Sequence, residues 1–508
     1  MKKTLLALFV IFLSGYFLRV LFLKDLSLTF GYDQARDAYH ALEIGSGHLK
    51  ILGPPASTPG LYHGVFYYYL LAPAYLIGHG NPIVAAYWVA LLSTATIFII
   101  FALTYLMTKK KGAALTASFL FAISFEATQY ATWLSNPTMG VFTVALLYLG
   151  LWMWITNPSK FHKIGPILCG VGLGLSIQSE IFLAYHFIPI LIWVWWVRRQ
   201  VSKKQITIFV LTLIITLSSM IISEFKFGFR SLGGIVSLAS SKDSIIASKG
   251  LGDILLLYLN QLGKVFSYNS YPANIGYGGI LVLVLIIYSL ISWDKKSISW
   301  KPFLATWLLG HITVVSLGGT STPFLLVGVG SAVSILLGIY LFKWWSENSR
   351  VLAIILTLVL TVGNLSMIFR ENPKGSTIFA IQKDMLLSRQ IRAIDDTYTK
   401  ANGKPFSINS LTSPLWINIV WTYLYKWYGG EKYLYVPKWT GRDQVGQIDL
   451  LEQTKAKINP HFLIIEPLAG IPYEYLGLTV GEEDVNSKTV EEKYFGEIRI
   501  QEREYKKI

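Results

Sequence analysis

Long, nearly uncharged apolar blocks alternate with short polar joints along the first 370 or so positions of the chain. A helix needs about 20 apolar residues to cross a bilayer, so blocks of this kind predict a helical membrane module. Lys2-Lys3 followed by Thr4 to Leu23 reads as a first span, because the run is long and no A-x-A-like cleavage site follows it. The segment Lys24 to Tyr62 is polar. Val65 to Ile77 is short and interrupted by Pro73, which predicts an interfacial or re-entrant helix. Further spans are expected at 83–107, 112–127, 138–156, 164–178, 181–197 and 205–223, and, beyond a long loop, at 278–293, 302–317, 324–345 and 351–369.

Charge gives this register a direction. Lys109-Lys110-Lys111, Lys160 with Lys163, Arg198-Arg199-Lys203-Lys204, Lys295-Lys296-Lys301 and Lys343 with Arg350 all fall on the N-terminal side. The opposite short joints, Gln129 to Pro137, Ser179-Glu180 and Gly318 to Pro323, carry no Lys or Arg. Basic residues concentrate in cytoplasmic loops. The expectation is therefore about eleven spans in the cell membrane, with the N-terminus cytoplasmic and the C-terminus outside. The outer side then holds the first loop (24–82), the loop Ser223 to Tyr277 and a tail from Arg370 to Ile508. Positions Ile254 to Leu262 have helical spacing. The tail has the charge density of a soluble domain and predicts a small α/β unit. It should contain a helix over Ile381 to Thr399, strands at Phe406 to Ile408, Tyr433 to Val436 and His461 to Ile465, and turns at Asn402-Gly403 and Gly429-Gly430. Trp427 to Gly430 reads as an aromatic strand and turn.

Composition agrees with a membrane protein. Of 508 residues, 53% are hydrophobic and only 14% are charged, against about 25% charged in a soluble domain. The net charge of +15 sits between apolar runs, where it suits anionic lipid rather than nucleic acid. The single cysteine, Cys169, lies in an apolar run and leaves no intramolecular disulfide. There is no Walker A, Rossmann or H-E-x-x-H pattern, and no inverted repeat of the transporter kind.

Against that background the polar stretch Gly31 to Tyr39 stands out. Asp33 and Asp37 are one helical turn apart, and Arg36 lies between them. Sugar transfer to a hydroxyl needs a base for the acceptor's proton and positive charge or a metal for a departing phosphate; a planar guanidinium also suits phosphate. The plain alternative is a capped juxtamembrane helix with surface charges. His48, Lys50 and His63 add groups that are or can become cationic, and His63 precedes the aromatic run Phe66-Tyr67-Tyr68-Tyr69, which suits a lipid chain. Asn136 stands before Pro137, as a helix cap or a substrate contact. Glu180 is a carboxylate in a tight turn between spans, and Glu224, Lys226 and Arg230 open the long loop.

These features resemble the GT-C superfamily of lipid-linked-sugar glycosyltransferases, in its protein O-mannosyltransferase and lipid A aminoarabinose transferase branch. The resemblance rests on Tyr32-Asp33-Gln34-Ala35-Arg36-Asp37-Ala38 after the first span, on Tyr62-His63-Gly64-Val65-Phe66-Tyr67-Tyr68, and on the order of spans before an outer C-terminal domain. It implies an enzyme that takes a sugar from a polyprenyl-phosphate carrier, with Asp33 as base and His63 where relatives place a Lys or His against the carrier phosphate. The family often has Asp-Glu where this chain has Asp33-Gln34, and Pro-Pro-Leu where it has Gly64-Val65-Phe66. The second carboxylate is then Asp37, and a divalent metal, if one takes part, would fall to Asp33 and Asp37.

The expected function is inverting transfer to a hydroxyl of a lipid, glycan or protein acceptor. Asp33 and Asp37 are its catalytic candidates, and Arg36, Lys50, His63, Tyr67, Asn136, Glu180 and Arg230 its substrate or phosphate candidates. The rival is a transporter or flippase of lipid-linked glycans, which should carry its polar groups at mid-span. The expected division is a transmembrane module over 1–369 and an outer α/β domain over 370–508.

Overall fold

The computed structural model describes residues 2–56, 60–157, 159–234, 250–271, 275–294, 298–314, 323–347, 349–442 and 451–506. The expected charges Lys295-Lys296 and most of the joint 318–323 lie outside these residues, as does the loop centre 235–249.

Helices dominate, with a small sheet at the C-terminal end. The helices used below are α1 (Lys2–Val20), α2 (Tyr32–Gly45), α3 (Phe66–Ile77), α4 (Lys111–Ala122), α5 (Ile164–Ser179), α6 (Val329–Ser346), α7 (Arg350–Glu371) and α8 (Leu387–Ala401). Among the described residues five helical stretches are long and apolar enough to cross a membrane: Lys2–Asp25, Pro82–Thr108, Asn136–Thr156, Val329–Ser346 and Arg350–Lys374. The pair Lys203–Thr216 and Ser218–Lys226, bent by 57°, makes a sixth if counted as one span. Other expected spans are shorter apolar helices: Lys111–Ala122, Ile164–Ser179, Ile181–Trp196 and Tyr277–Ile291. At 1.5 Å per residue, helices of this length cover roughly 15–25 Å, less than the hydrocarbon core of about 30 Å. The count of eleven is therefore not reproduced by helix length. The physical reason is that several apolar runs end early or begin as a 3₁₀ segment, such as Ile181–His186 ahead of Phe187–Trp196.

The outward rows Leu5, Leu6, Phe9, Val10, Leu13 and Phe17 on α1 are exposed. A contiguous apolar face of that kind calls for lipid, and the chain is an integral membrane protein. Within the bundle, small residues set the closest crossing. A Cβ on Gly172 of α5 would come 2.3 Å from the Leu147 nitrogen, and one on Gly150 would come 2.3 Å from that of Cys169. Such backbone approach replaces the hydrophobic drive that lipid cannot supply. The interfacial helix expected around Val65 to Ile77 is present as α3, with Pro73 inside it, and the helix expected in the long loop runs over Leu251–Asn269.

The C-terminal sheet has five strands, β1 (Ser407–Leu411), β2 (Lys438–Trp439), β3 (His461–Ile465), β4 (Ser487–Phe495) and β5 (Ile498–Tyr505), in the order β2-β1-β3-β5-β4. β1 pairs in parallel with β2 and β3, and β5 runs antiparallel to both β3 and β4. The amphipathic helix begins at Leu387 rather than Ile381. The strand expected at Tyr433 to Val436 is absent: Ile419–Leu424, Tyr425–Gly429 and Gly430–Tyr433 run on as one helical stretch through Gly429-Gly430. Tyr433 stacks on Tyr398 of α8 at 4.0 Å, and this contact holds the segment helical.

This C-terminal part shares a core with the first outer loop. Ala35, Ala38 and Ala41 of α2 are fully buried together with Tyr67 and Leu71 of α3 and with Trp421 and Leu424. The Phe30 amide donates to the Met385 carbonyl (3.0 Å), and the Leu387 amide donates to that of Leu28 (2.9 Å). The segment leading into α8 is thereby stitched beside the start of α2.

Candidate functional site

Around the N-terminal end of α2 lies a cleft of about 340 Å³. One side comes from Gly31, Tyr32, Asp33 and Gln34. The floor includes His63, Asn136 and Glu180, and Ala380 to Gln382 with Ser413 and Pro414 close it from the C-terminal part. The sequence explains the start of α2. Gly31 is the residue before its first turn, and the Gln34 side chain accepts from the Gly31 amide (2.9 Å) while donating to the Leu134 carbonyl (3.1 Å). Gln34 thus closes the helix end and ties it to the bundle, and Asp33 lies in the first turn, where a carboxylate favours the helix dipole.

Asp33 and Asp37 meet on one guanidinium. Arg36 donates to Asp33 Oδ1 at 2.7 Å and to Asp37 Oδ1 through two nitrogens at 2.9 and 2.7 Å. The Asp33 side chain is half exposed, whereas that of Asp37 is wholly buried. Burial lifts the Asp37 carboxyl to about 7 against the pull of Arg36. The two carboxylates outweigh burial at Arg36 and hold it protonated. Asp37 Oδ2 has no partner and faces the same interior as the unpartnered hydroxyls of Tyr67 and Tyr75. Asp33 therefore reaches the cleft, with Arg36 and Asp37 behind it. The arrangement does not form a cation pocket: Arg36 occupies the space between the two acids. Among the described residues no group of three or more His, Cys, Asp or Glu converges as metal ligands would.

The floor is built by docking two loops. The Gly64 amide donates to the Gln178 carbonyl (2.9 Å) and the Phe66 amide to the Gln178 side chain (3.1 Å). The Ile181 amide donates to His63 Nδ1 (3.2 Å), which fixes the imidazole with its proton on Nε2. Burial, with Arg36 nearby, pushes His63 down to about 3, so this ring is neutral. The cationic role expected of it is replaced by that of a neutral donor. Burial lifts Glu180 to about 8, and its Oε1 lies 3.8 Å from His63 Nδ1. Asn136 donates to the Ser179 carbonyl and so braces that turn as well as lining the cleft.

Of the other expected residues, Lys50 pairs with Glu43 at 2.9 Å and is not among the residues lining the cleft. Tyr67 is fully buried between α2 and α3, because its ring packs into the core beneath α2 rather than outward. Arg230 lies over the ring of Tyr62, the neighbour of His63, at 5.4 Å and is not among the residues lining the cleft. No Lys or Arg is found among the described lining residues. Sequence reasoning missed the aromatic lining of the cleft. Trp133, Phe182, Phe324 and Phe379 line the cleft, with Phe379 stacked on Tyr130 (4.3 Å) and 4.7 Å from Trp133. Aromatic rings sharing a cleft with a carboxylate and amides make a surface for a ring with apolar and hydroxylated sides.

No family model matches the chain, and no curated protein matches it in sequence. Solved structures do match in fold. ArnT from Cupriavidus metallidurans bound to undecaprenyl phosphate superposes with a TM-score of 0.60 at 12% identity, over 99% of this chain and 98% of that one. The same protein in its apo state gives 0.58 at 12% identity, over 98% of each. The archaeal oligosaccharyltransferase AglB from Archaeoglobus fulgidus, in complex with an inhibitory peptide and a dolichol-phosphate, gives 0.47 at 15% identity, over 82% of this chain and 63% of that one. The fold of this chain is thus similar to that of ArnT over nearly the whole of both chains.

Proposed function

We propose that this protein is a membrane glycosyltransferase that moves a sugar from a polyprenyl-phosphate donor to an acceptor hydroxyl in the cleft at α2. The observation that carries the reading is Asp33, held by Arg36 in a cleft that Trp133, Phe182, Phe324 and Phe379 also line. Likeness of fold to ArnT, over nearly the whole of both chains, supports it.

In this reading the acceptor oxygen attacks the anomeric carbon as the bond to the carrier phosphate breaks. The bonding pair leaves with the polyprenyl phosphate, and the acceptor's proton passes to Asp33. Attack from the face opposite the phosphate inverts the anomeric centre. His63, through its Nε2–H, faces the phosphate, and Arg230, over the neighbouring Tyr62, adds positive charge on that side. Arg36 acts through Asp33, which it orients, and Asp37 holds Arg36 in place. Trp133 and Phe379 stack against a sugar ring. The cleft lies on the outer face of the cell membrane and the N-terminus lies inside, as the distribution of Lys and Arg supports.

A transporter or flippase has less support. The polar cluster between helices, where Asn269 donates to Glu126 and Asn364 to the Ser270 carbonyl (both 2.6 Å), is closed on itself. The cavity beside it measures about 10 Å³, room for about one water. The purified protein, extracted for lipid mass spectrometry, is expected to carry a polyprenyl phosphate. With a polyprenyl-phosphate sugar, NMR should show a product of opposite anomeric configuration. A retained configuration, or a protein that moves the intact carrier lipid across vesicles without forming product, would contradict the proposal.

A further inference from the structure

A second recess lies far from the cleft. It is an apolar groove of about 550 Å³ between α1, α4, α6 and α7, lined by Ile11, Leu115, Thr116, Trp345, Ile354 and Leu358 among others. Trp345, Ile354 and Leu358 are each about half exposed. The groove opens at the end of the bundle away from α2. Arg19 of α1 donates to the Phe121 and Ala122 carbonyls at one end of α4. The groove instead begins beside Gly112 at the other end, about 15 Å away at 1.5 Å per residue.

That end is ringed with positive charge. Lys109, Lys110 and Lys111 are exposed where α4 starts, and Arg350 is exposed where α7 starts. None of the four forms an ion pair among the described residues. Lys343, near the end of α6, lies 3.8 Å from Glu347. Lys2 and Lys3 begin α1 on the same side. An apolar slot running into the hydrocarbon from a cationic rim has two surfaces of different chemistry. A helix from a partner would use only the slot, and a zwitterionic lipid would gain nothing from the rim. Basic recesses between membrane helices suit anionic headgroups, at about 1 kcal/mol, or about fivefold, for each Lys or Arg.

We propose that this groove binds one acyl chain of an anionic phospholipid, whose headgroup rests on Lys109 to Lys111 and Arg350. The site needs only that the protein be embedded in a bilayer, and it stands whether or not the cleft transfers sugar.

Trp345 supplies the probe. The full-length protein in detergent micelles is titrated with phosphatidylglycerol brominated along its chains, and separately with equally brominated phosphatidylcholine. Quenching present in the wild type and missing in Trp345→Phe isolates the groove. It should saturate at a lower mole fraction of phosphatidylglycerol than of phosphatidylcholine. Lys110→Ala and Lys111→Ala should each weaken the phosphatidylglycerol response about fivefold at low salt and leave phosphatidylcholine unchanged. Thr116→Phe and Thr357→Phe, which narrow the groove, should remove the Trp345 component for both lipids. Equal saturation by the two lipids overturns the proposal, as does a lysine series without effect or a Trp345 component that persists in a folded groove-filling variant. Should neither filling variant fold, the lysine series and the lipid comparison decide.

Discussion

Arg36→Gln tests how the cleft edge is built, because Arg36 serves two carboxylates in different surroundings. The Asp37 side chain is wholly buried and that of Asp33 is 51% exposed. An ion pair with a half-exposed partner contributes at most about 1 kcal/mol. Removing one member of a buried pair costs about 3–5 kcal/mol, because the other charge is left without compensation. The substituted glutamine keeps a donor but no charge, and Asp37 Oδ2 already lacks a partner. The expected loss for Arg36→Gln at pH 8, above the value of about 7 to which burial lifts Asp37, is therefore about 3–5 kcal/mol, nearly all from the Asp37 side, and it shrinks at lower pH as the carboxyl takes up a proton. For Asp33→Asn it is about 1 kcal/mol or less. Equilibrium unfolding in mixed micelles, followed by tryptophan fluorescence, measures both. Sugar transfer measured on the same preparations should show the opposite ranking per folded molecule, with Asp33→Asn the more damaging. Equal destabilisation by the two variants would refute the division into a buried brace and an exposed reactive group. So would an Arg36→Gln protein within about 1 kcal/mol of wild type.

Two further outcomes follow from the floor. His63 is held neutral, down to about 3 from an ordinary 6.5, so the unfolded chain takes up the proton first as pH falls. Its contribution to stability is complete above about pH 6.5 and is lost toward pH 3, with a slope of at most about 1.4 kcal/mol per pH unit; His63→Gln should flatten that part of the stability profile, and an unchanged profile would remove the neutral assignment. Gly64→Ala would place a methyl 2.5 Å from Gln178 Cγ, so the loop carrying His63 should lift from the Gln178 turn at a cost of about 1–3 kcal/mol, seen as lower stability together with weaker transfer; a variant indistinguishable from wild type would show that this docking does not matter.

What the sequence made legible was local. Asp33, Arg36 and Asp37 share one turn of one helix, so their meeting follows from spacing. The helix over Leu251–Asn269 follows from its apolar period, and β3 was visible as a short apolar run. The cleft wall was hidden because Phe182, Phe324 and Phe379 come from distant parts of the chain, and none has a local signature. Lys50 looked like a phosphate ligand because Glu43, its partner across a turn, is a matter of tertiary placement. The hairpin of β4 and β5 is rich in exposed Lys and Glu along one edge, a composition that reads as loop until the sheet it borders is known. Gly429-Gly430 reads as a turn by propensity, yet aromatic packing of Tyr433 and Tyr425 against α8 overrides it.

The central claim is that Asp33 accepts the acceptor's proton. Membranes containing wild-type protein or Asp33→Asn, at matched amounts of folded protein, are supplied with radiolabelled polyprenyl-phosphate sugar and assayed for label in the acceptor fraction. Loss of a positioned general base costs about 10²–10⁴-fold. Asp33→Asn should fall by that factor while still retaining the donor lipid. Undiminished transfer by the folded Asp33→Asn protein would contradict the account.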